Sequence, residues 1–298
     1  MRCACVDIGA NTTRLLVAEP TPGGGLRTVL AERLFSPLRA DREPADPLSE
    51  AETDALADQV ERQVAMAREH GAEQVAVVAT AVLRAAANRD HVAAVVGGRA
   101  GEPLQLIDGH AEARLVFAGA IGALAEPPAG EVAVVDIGGG STEVAVGTGE
   151  SGPRWSASVQ IGSRVLTAAH LRHDPPTKEE LRAIRADADA ALDVLHPPAV
   201  DDAYAVGGDA TSLRRLVGPV LDRESLAVAI DAVCSAPAEE VAARLELHPR
   251  RARVLPAALL LLEAATVSLR APLRLCGGGL REGVIRELLE EAEHGQGA

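Results

Sequence analysis

The chain writes one phrase twice. VDIGANTTRLLV (residues 6–17) and VDIGGGSTEVAV (residues 135–146) align without a gap. Each gives Val-Asp-Ile-Gly, then small residues, a Thr, and an apolar tail. Apolar runs on both sides of a Gly-rich turn predict a strand, a tight turn and a second strand. A carboxylate leaving a buried strand is costly unless it accepts hydrogen bonds or meets a cation. Here that cost is met twice, at Asp7 and Asp136. A chain containing two such hairpins is constrained to contain two similar units.

The surrounding pattern agrees. In the first half CACVDIG, TRLLVAE and RTVLAERLF read as consecutive strands. A helix follows, opened by a capping box at Ser49–Glu52 and running to Gly71, and then strand QVAVVAT, helix Asn88–Val96, strand LQLID and helix Ala111–Ala123. AEPPAG (Ala125–Gly130) is a Pro- and Gly-rich linker, after which the order restarts with VAVVDIG, TEVAVGT and WSASVQI. A helix from Ser163 and a second capping box at Thr177–Glu180 come next, then strand AYAVGG, helix Ala210–Val217 and three more helical stretches. Strand LRLCGG and a helix from about Leu280 close the chain. Three strands followed by alternating helix and strand, performed twice, predict an α/β fold of two duplicated domains. Each carries a mixed sheet flanked by helices, with ligands at the strand ends in a cleft between the domains.

Composition narrows the function. The formal charge of −14 argues against binding duplex nucleic acid, which runs on basic surface. Aromatics are 1% of the chain, so the cores are aliphatic and few platforms exist for stacking bases. Cys3, Cys5, Cys234 and Cys276 show no metal spacing, and Cys3 and Cys5 should face one side of a strand as buried apolar residues. The eight histidines form no ligand cluster. No signal-like segment opens the sequence, and Arg253–Leu269 is interrupted by Pro256 and Glu263, short of the roughly 20 apolar residues of a spanning helix. A cytoplasmic protein with no membrane partner is expected.

The chemistry concentrates in the turns. Gly138, Gly139, Gly140 and Ser141 offer backbone N–H groups unobstructed by side chains, the geometry that holds phosphate oxygens. Asn11, Thr12 and Thr13 add short donors in the first copy, and Ser141 and Thr142 in the second. AVGGDATSLRRL, with Gly208, and LRLCGGGLREGVI supply two further Gly turns after strands. Four such turns point to a phosphate-rich ligand.

VDIGANTTRLLV, ATAVLRAAAN, GHAEARLVFAGA, VVDIGGGSTEVAVG and GGGLREGVI, in this order, resemble the exopolyphosphatase and guanosine pentaphosphate phosphohydrolase (Ppx/GppA) family of the actin-like ATPase superfamily. DIGGGSTE combined with GHAEARLVFAG is the specific part. The resemblance implies actin-like (ribonuclease H-like) domains in the short two-domain form: residues 1–124, completed by the C-terminal helix 281–298, and residues 125–280. It implies that Glu112 is the base activating water, and that Asp136, Glu143 and Asp7 surround one Mg2+. Arg84 grips phosphate, while Asn11, Thr12, Gly138–Ser141 and Gly208 cradle it. Arg89, Arg114, Arg164, Arg214, Arg215, Arg250, Arg251 and Arg253 are candidates for a polyanion track.

The implied activity is release of orthophosphate from the end of inorganic polyphosphate. Alternatives are hydrolysis of the 5′-terminal phosphate of guanosine pentaphosphate (pppGpp), or a weakly catalytic sensor of polyphosphate or alarmones. An actin-like kinase would need an acceptor-site signature that is not visible. A second copy of the chain, as a homodimer, is the one protein partner allowed for. Ala10, Ala111, Asp209 and Cys276-Gly277 depart from the family pattern and bear on substrate preference.

Overall fold

The computed structural model describes residues 1–39, 43, 45–126, 128–207 and 218–295. The chain divides into two compact units: Met1–Ala125 together with the segment from Gly278 onward, and Glu126–Gly277.

In the first unit β1 (Cys3–Ile8), β2 (Thr12–Pro20) and β3 (Leu26–Phe35) form an antiparallel meander. β4 (Gln74–Ala79) and β5 (Leu104–Leu106) extend the sheet in parallel, giving the order β3-β2-β1-β4-β5. The period of two along β1 divides its side chains between two layers. Ala4, Val6 and Ile8 join a core with Leu56, Val60 and Val64 of α1 (Glu50–Glu69) and Val92 and Val96 of α3 (Arg89–Ala100). The alternate residues Cys3, Cys5 and Asp7 face the other layer, where α10 (Leu280–Gly295) packs on β1 and on α4 (Gly109–Ile121). Both cysteines are free and buried, and burial pushes the Cys3 thiol up to about 11, so they are inert packing groups.

In the second unit β6 (Val132–Ile137), β7 (Thr142–Thr148) and β8 (Gly152–Val159) repeat the meander. β9 (Asp202–Val206) and β11 (Leu273–Leu275) run parallel to β6, and β10 (Val220–Leu221) caps the edge, in the order β10-β11-β9-β6-β7-β8. Its core gathers Ala133, Val135, Ile137, Val144 and Val146 under α5 (Ser163–His170), α6 (Lys178–Asp193), α7 (Arg223–Cys234), α8 (Ala238–Leu245) and α9 (Pro249–Leu269).

The sequence counts Pro256 and Glu263 as interruptions of an apolar run, and the structure carries that run within one continuous helix of 21 residues, α9. It is long and apolar enough to cross a membrane by length and composition, but 72% of its apolar window is buried inside the structure. Leu255, Leu259 and Leu261, all 0% exposed, show why: the burial they gain outweighs the hydrogen bond the proline forfeits. Two further elements escaped the sequence reading, the short helix α2 (Ala81–Arg84) and strand β10. The expected helix Ala210–Val217 lies outside the described residues.

The Ser49–Glu52 capping box gives the first unit a pH dependence. Burial raises the Glu52 pKa, but hydrogen bonds from the Arg39 and Ser49 N–H groups and the Ser49 hydroxyl outweigh it, leaving about 2 against an ordinary 4.5. A depressed carboxylate contributes its stability above the unfolded pKa and loses it as pH falls toward the folded value. Acid unfolding followed by circular dichroism is therefore expected to lose about 3 kcal/mol below pH ~4.5 through this group. Glu52→Gln should be less stable at neutral pH and show a flatter dependence in that window.

Candidate active site

The two repeated phrases fold into the same backbone device. In the first, Ile8 stands opposite Thr13 and the Gly9 N–H donates to the Thr12 carbonyl at 3.0 Å. In the second, Ile137 stands opposite Thr142 and the Gly138 N–H donates to the Ser141 carbonyl at 3.0 Å.

Their surroundings differ. The second turn rests on the start of α5. Ser163 N–H donates to the Gly138 carbonyl at 3.0 Å, while Arg164 and Val165 N–H donate to the Gly139 carbonyl at 3.0 and 3.2 Å. Peptide groups are planar and trans, so carbonyls of Gly138 and Gly139 drawn into the helix turn the N–H groups of Gly139 and Gly140 the opposite way. Among the described residues these two N–H groups have no acceptor. They form a concave pair of donors suited to phosphate oxygens. In the first turn Ala10 takes the place of Gly139. The Asn11 carbonyl accepts from Ser36 N–H at 3.0 Å, and Arg14 Nε donates to Thr12 Oγ1 at 3.2 Å.

The carboxylates sit one strand position before each turn. Asp136, Glu143 and Ser158 are register partners across β6, β7 and β8, and so share one face of the sheet. Glu143 is 2% exposed and accepts from the Ser158 hydroxyl at 2.7 Å. Asp136 leans against Gly207, where a Cβ would stand 2.4 Å from Asp136 Oδ1 and φ is +93°. In the first unit the matching row is Asp7, Arg14 and Arg33. Burial pushes the Asp7 pKa up, opposed by Arg14 and Arg281, with Glu282 adding to the rise. Arg14 thus stands where the second copy has Glu143, and the two rows carry opposite charge.

Among the described residues no three His, Cys, Asp or Glu side chains come together as a ready-made metal cage. The Asp136–Glu143 pair, two oxygen donors on one face, still fits a hard divalent cation that keeps several waters and shares the phosphate oxygens of its substrate. The Asp7 row, with its two arginines, fits an anion better.

Glu112 and Arg84 meet inside the first unit. The Asp108 side chain accepts from Ala111 N–H at 2.8 Å and caps α4 two residues before the start expected from sequence. Glu112 then falls in the first turn, 5% exposed. A buried carboxylate needs a partner. Arg84, the last residue of α2, supplies it: Nη1 donates to Glu112 Oε2 at 3.1 Å and to the Ile107 carbonyl at 2.7 Å. Among the described residues Arg84 Nη2 is buried without a partner. β4 and β5 both end beside this pair, at Ala79 and Leu106. Asp7, Asn11, Thr12, Arg84 and Glu112 thus belong to the first unit, and Asp136, Gly138–Ser141 and Glu143 to the second; Gly208 lies outside the described residues.

Two arginines of the expected track are engaged elsewhere. Arg114 pairs with Glu287 at 2.8 Å, and Arg253 donates to the Leu171 and His173 carbonyls at 3.1 and 2.6 Å. Arg214 and Arg215 lie outside the described residues. The aromatics are largely spent on packing: Phe117 is 1% exposed and Trp155 lies against the second core. Phe35, the register partner of Thr12, stands beside the first turn. Gly162 was missed by the sequence reading and Gly207 entered it only as part of a Gly turn, because what they must avoid is brought to them only by the fold.

A family model described as the Ppx/GppA phosphatase family matches residues 16–292. An uncharacterised protein of Streptomyces coelicolor is 38% identical over 190 residues, 62% of this chain and 55% of its own length. Exopolyphosphatase 2 of Mycobacterium tuberculosis is 32% identical over 297 residues, covering 90% of this chain and 91% of that one. Among solved structures, the Aquifex aeolicus member of the Ppx/GppA family superposes with a TM-score of 0.81 at 28% identity, covering 98% of both chains.

Proposed function

The chain belongs to the Ppx/GppA phosphatase family, and from that premise we propose that it is an exopolyphosphatase, a hydrolase of phosphoric anhydrides that releases orthophosphate from a polyphosphate end. The observation that carries this reading is the buried Glu112 carboxylate on Arg84, set at a helix start beside the strand ends.

In the proposed reaction a water oxygen bonds to the terminal phosphorus as the bridging P–O bond breaks. The bridging oxygen leaves with the shortened chain, and Glu112 takes the proton of the attacking water. Arg84 holds Glu112 in place. The Gly139 and Gly140 N–H groups and the Ser141 side chain receive the terminal phosphate. Preformed donors aimed at the transferring group stabilise the charge it develops without reorganising. Asp136 and Glu143 would hold Mg2+, which would neutralise phosphate charge there, while Asp7, with Arg14 and Arg33 in its row, is not counted among its holders.

Hydrolysis of guanosine pentaphosphate is the second reading, and Phe35 beside Thr12 is what favours it. Phosphate release with Mg2+ on a panel of polyphosphates and on pppGpp decides between them. Faster turnover of polyphosphate, unchanged in Phe35→Ala, is expected. A preference for pppGpp that Phe35→Ala abolishes would select the nucleotide reading, and no release from either would refute hydrolysis. Binding of polyphosphate with turnover unmoved by Glu112→Ala would instead mark a sensor.

A further inference from the structure

Resting on that reading, we propose that Gly162 is a positioning residue that sets the phosphate affinity of the second turn by letting the start of α5 press against it. No side chain fits there. A Cβ on Gly162 would lie 2.5 Å from the Gly139 carbonyl carbon, 2.6 Å from the Gly138 oxygen and 2.6 Å from the Gly139 oxygen. Its own backbone is extended, with φ −143° and ψ 173°, so an alanine there is opposed by contact alone and not by conformation.

The closeness has an electrostatic purpose. Gly162 caps α5, whose first three N–H groups all end on two carbonyls of the turn. The Ser163 hydroxyl adds a fourth donor to the Gly138 oxygen at 3.3 Å. Hydrogen bonds in a chain polarise one another. Donation into the Gly138 and Gly139 carbonyls therefore strengthens the N–H groups at the far side of the same two peptides. The positive end of the α5 dipole is relayed through the turn rather than offered to the ligand directly. The first turn, held at Asn11 by one Ser36 N–H, has no comparable helix start among the bonds described. The two copies are thus unequal, and the second is the tighter phosphate holder.

The test uses the full-length protein with inorganic phosphate as probe. Nitrogen–proton NMR spectra of wild type should show the Gly139 and Gly140 amides moving downfield on phosphate addition. Gly162→Ala should weaken phosphate binding at least tenfold and raise KM for tripolyphosphate by a similar factor, with a smaller change in kcat and an unmoved pH profile. Ser163→Ala, which loses the hydroxyl bond to the Gly138 oxygen and keeps the backbone donors, should fold normally, weaken phosphate two- to fivefold and reduce the two amide shifts. Silent Gly139 and Gly140 amides, or Ser163→Ala and a folded Gly162→Ala that bind phosphate like wild type, would overturn the proposal. Because binding is read separately from turnover, a wild type that binds phosphate at this turn but hydrolyses nothing would refute the exopolyphosphatase reading and leave this one standing.

Discussion

Glu112→Gln is expected to bind polyphosphate with KM within about threefold of wild type while kcat falls by about 10²–10⁴. Gln matches the volume of Glu and keeps an oxygen for Arg84 Nη1, which now sits 3.1 Å from Glu112 Oε2. What it cannot do is take a proton from water. Ala would be a poorer test, since it leaves Arg84 facing a void in a buried place, and a lost partner of a buried ion pair can cost about 3–5 kcal/mol. Steady-state phosphate release beside a thermal melt separates lost chemistry from lost fold. If Glu112→Gln keeps more than a tenth of wild-type kcat, the carboxylate is not the base. A variant that melts more than a few degrees early would show that Glu112 serves the fold first.

The largest effect on stability is expected at Gly283. α4 and α10 approach so closely that a Cβ on Gly283 would lie 1.9 Å from the Leu115 carbonyl oxygen, and one on Gly119 would lie 2.0 Å from the Gly279 oxygen. Both obstacles are backbone, which cannot rotate aside, so the helices must part and take their buried side chains with them. Gly283→Ala should cost about 3 kcal/mol or more, at the upper end of what overpacking does. Gly98→Ala is the control: Gly98 lies inside α3 with open space around its missing Cβ, and alanine there should add up to about 1 kcal/mol through helix propensity. Calorimetry of both variants checks the pair. Equal melting points would show that the α4–α10 contact is looser than described. Since α4 also carries Glu112, a partly folded Gly283→Ala should lose activity as well.

Much of this was legible in the sequence where the cause is local. Hairpins, capping boxes and strand runs follow from period and from side chains that bond their own neighbourhood, so Ser49–Glu52 and Thr177–Glu180 close as capping boxes. The start of α4 was set two residues late because Gly109 and His110 are weak helix formers, and only the Asp108 cap draws them in. α2 was missed because four residues carry no period. The Arg84–Glu112 pair could not be read from spacing, since their partnership depends on β4 and β5 ending side by side. Gly119, Gly207 and Gly283 stand inside recognisable motifs and Gly162 outside them, but why each must be small was invisible for the same reason: the atom it must avoid lies far away in the chain. The opposite charges of the two carboxylate rows were written in plain view as Arg14 against Glu143, but only the strand register shows that they occupy equivalent places.

The first unit is interrupted in the chain, with β1 through α4 at the front and α10 at the very back. A ribosome therefore releases the whole contiguous second unit, Glu126–Gly277, before the last helix of the first unit emerges. Until then α4 lacks its glycine-lined seat and the nascent chain exposes the Cys5–Asp7 side of β1. Translation that stalls or terminates before Leu280 should thus yield one finished lobe joined to an unfinished one that holds the proposed base out of place.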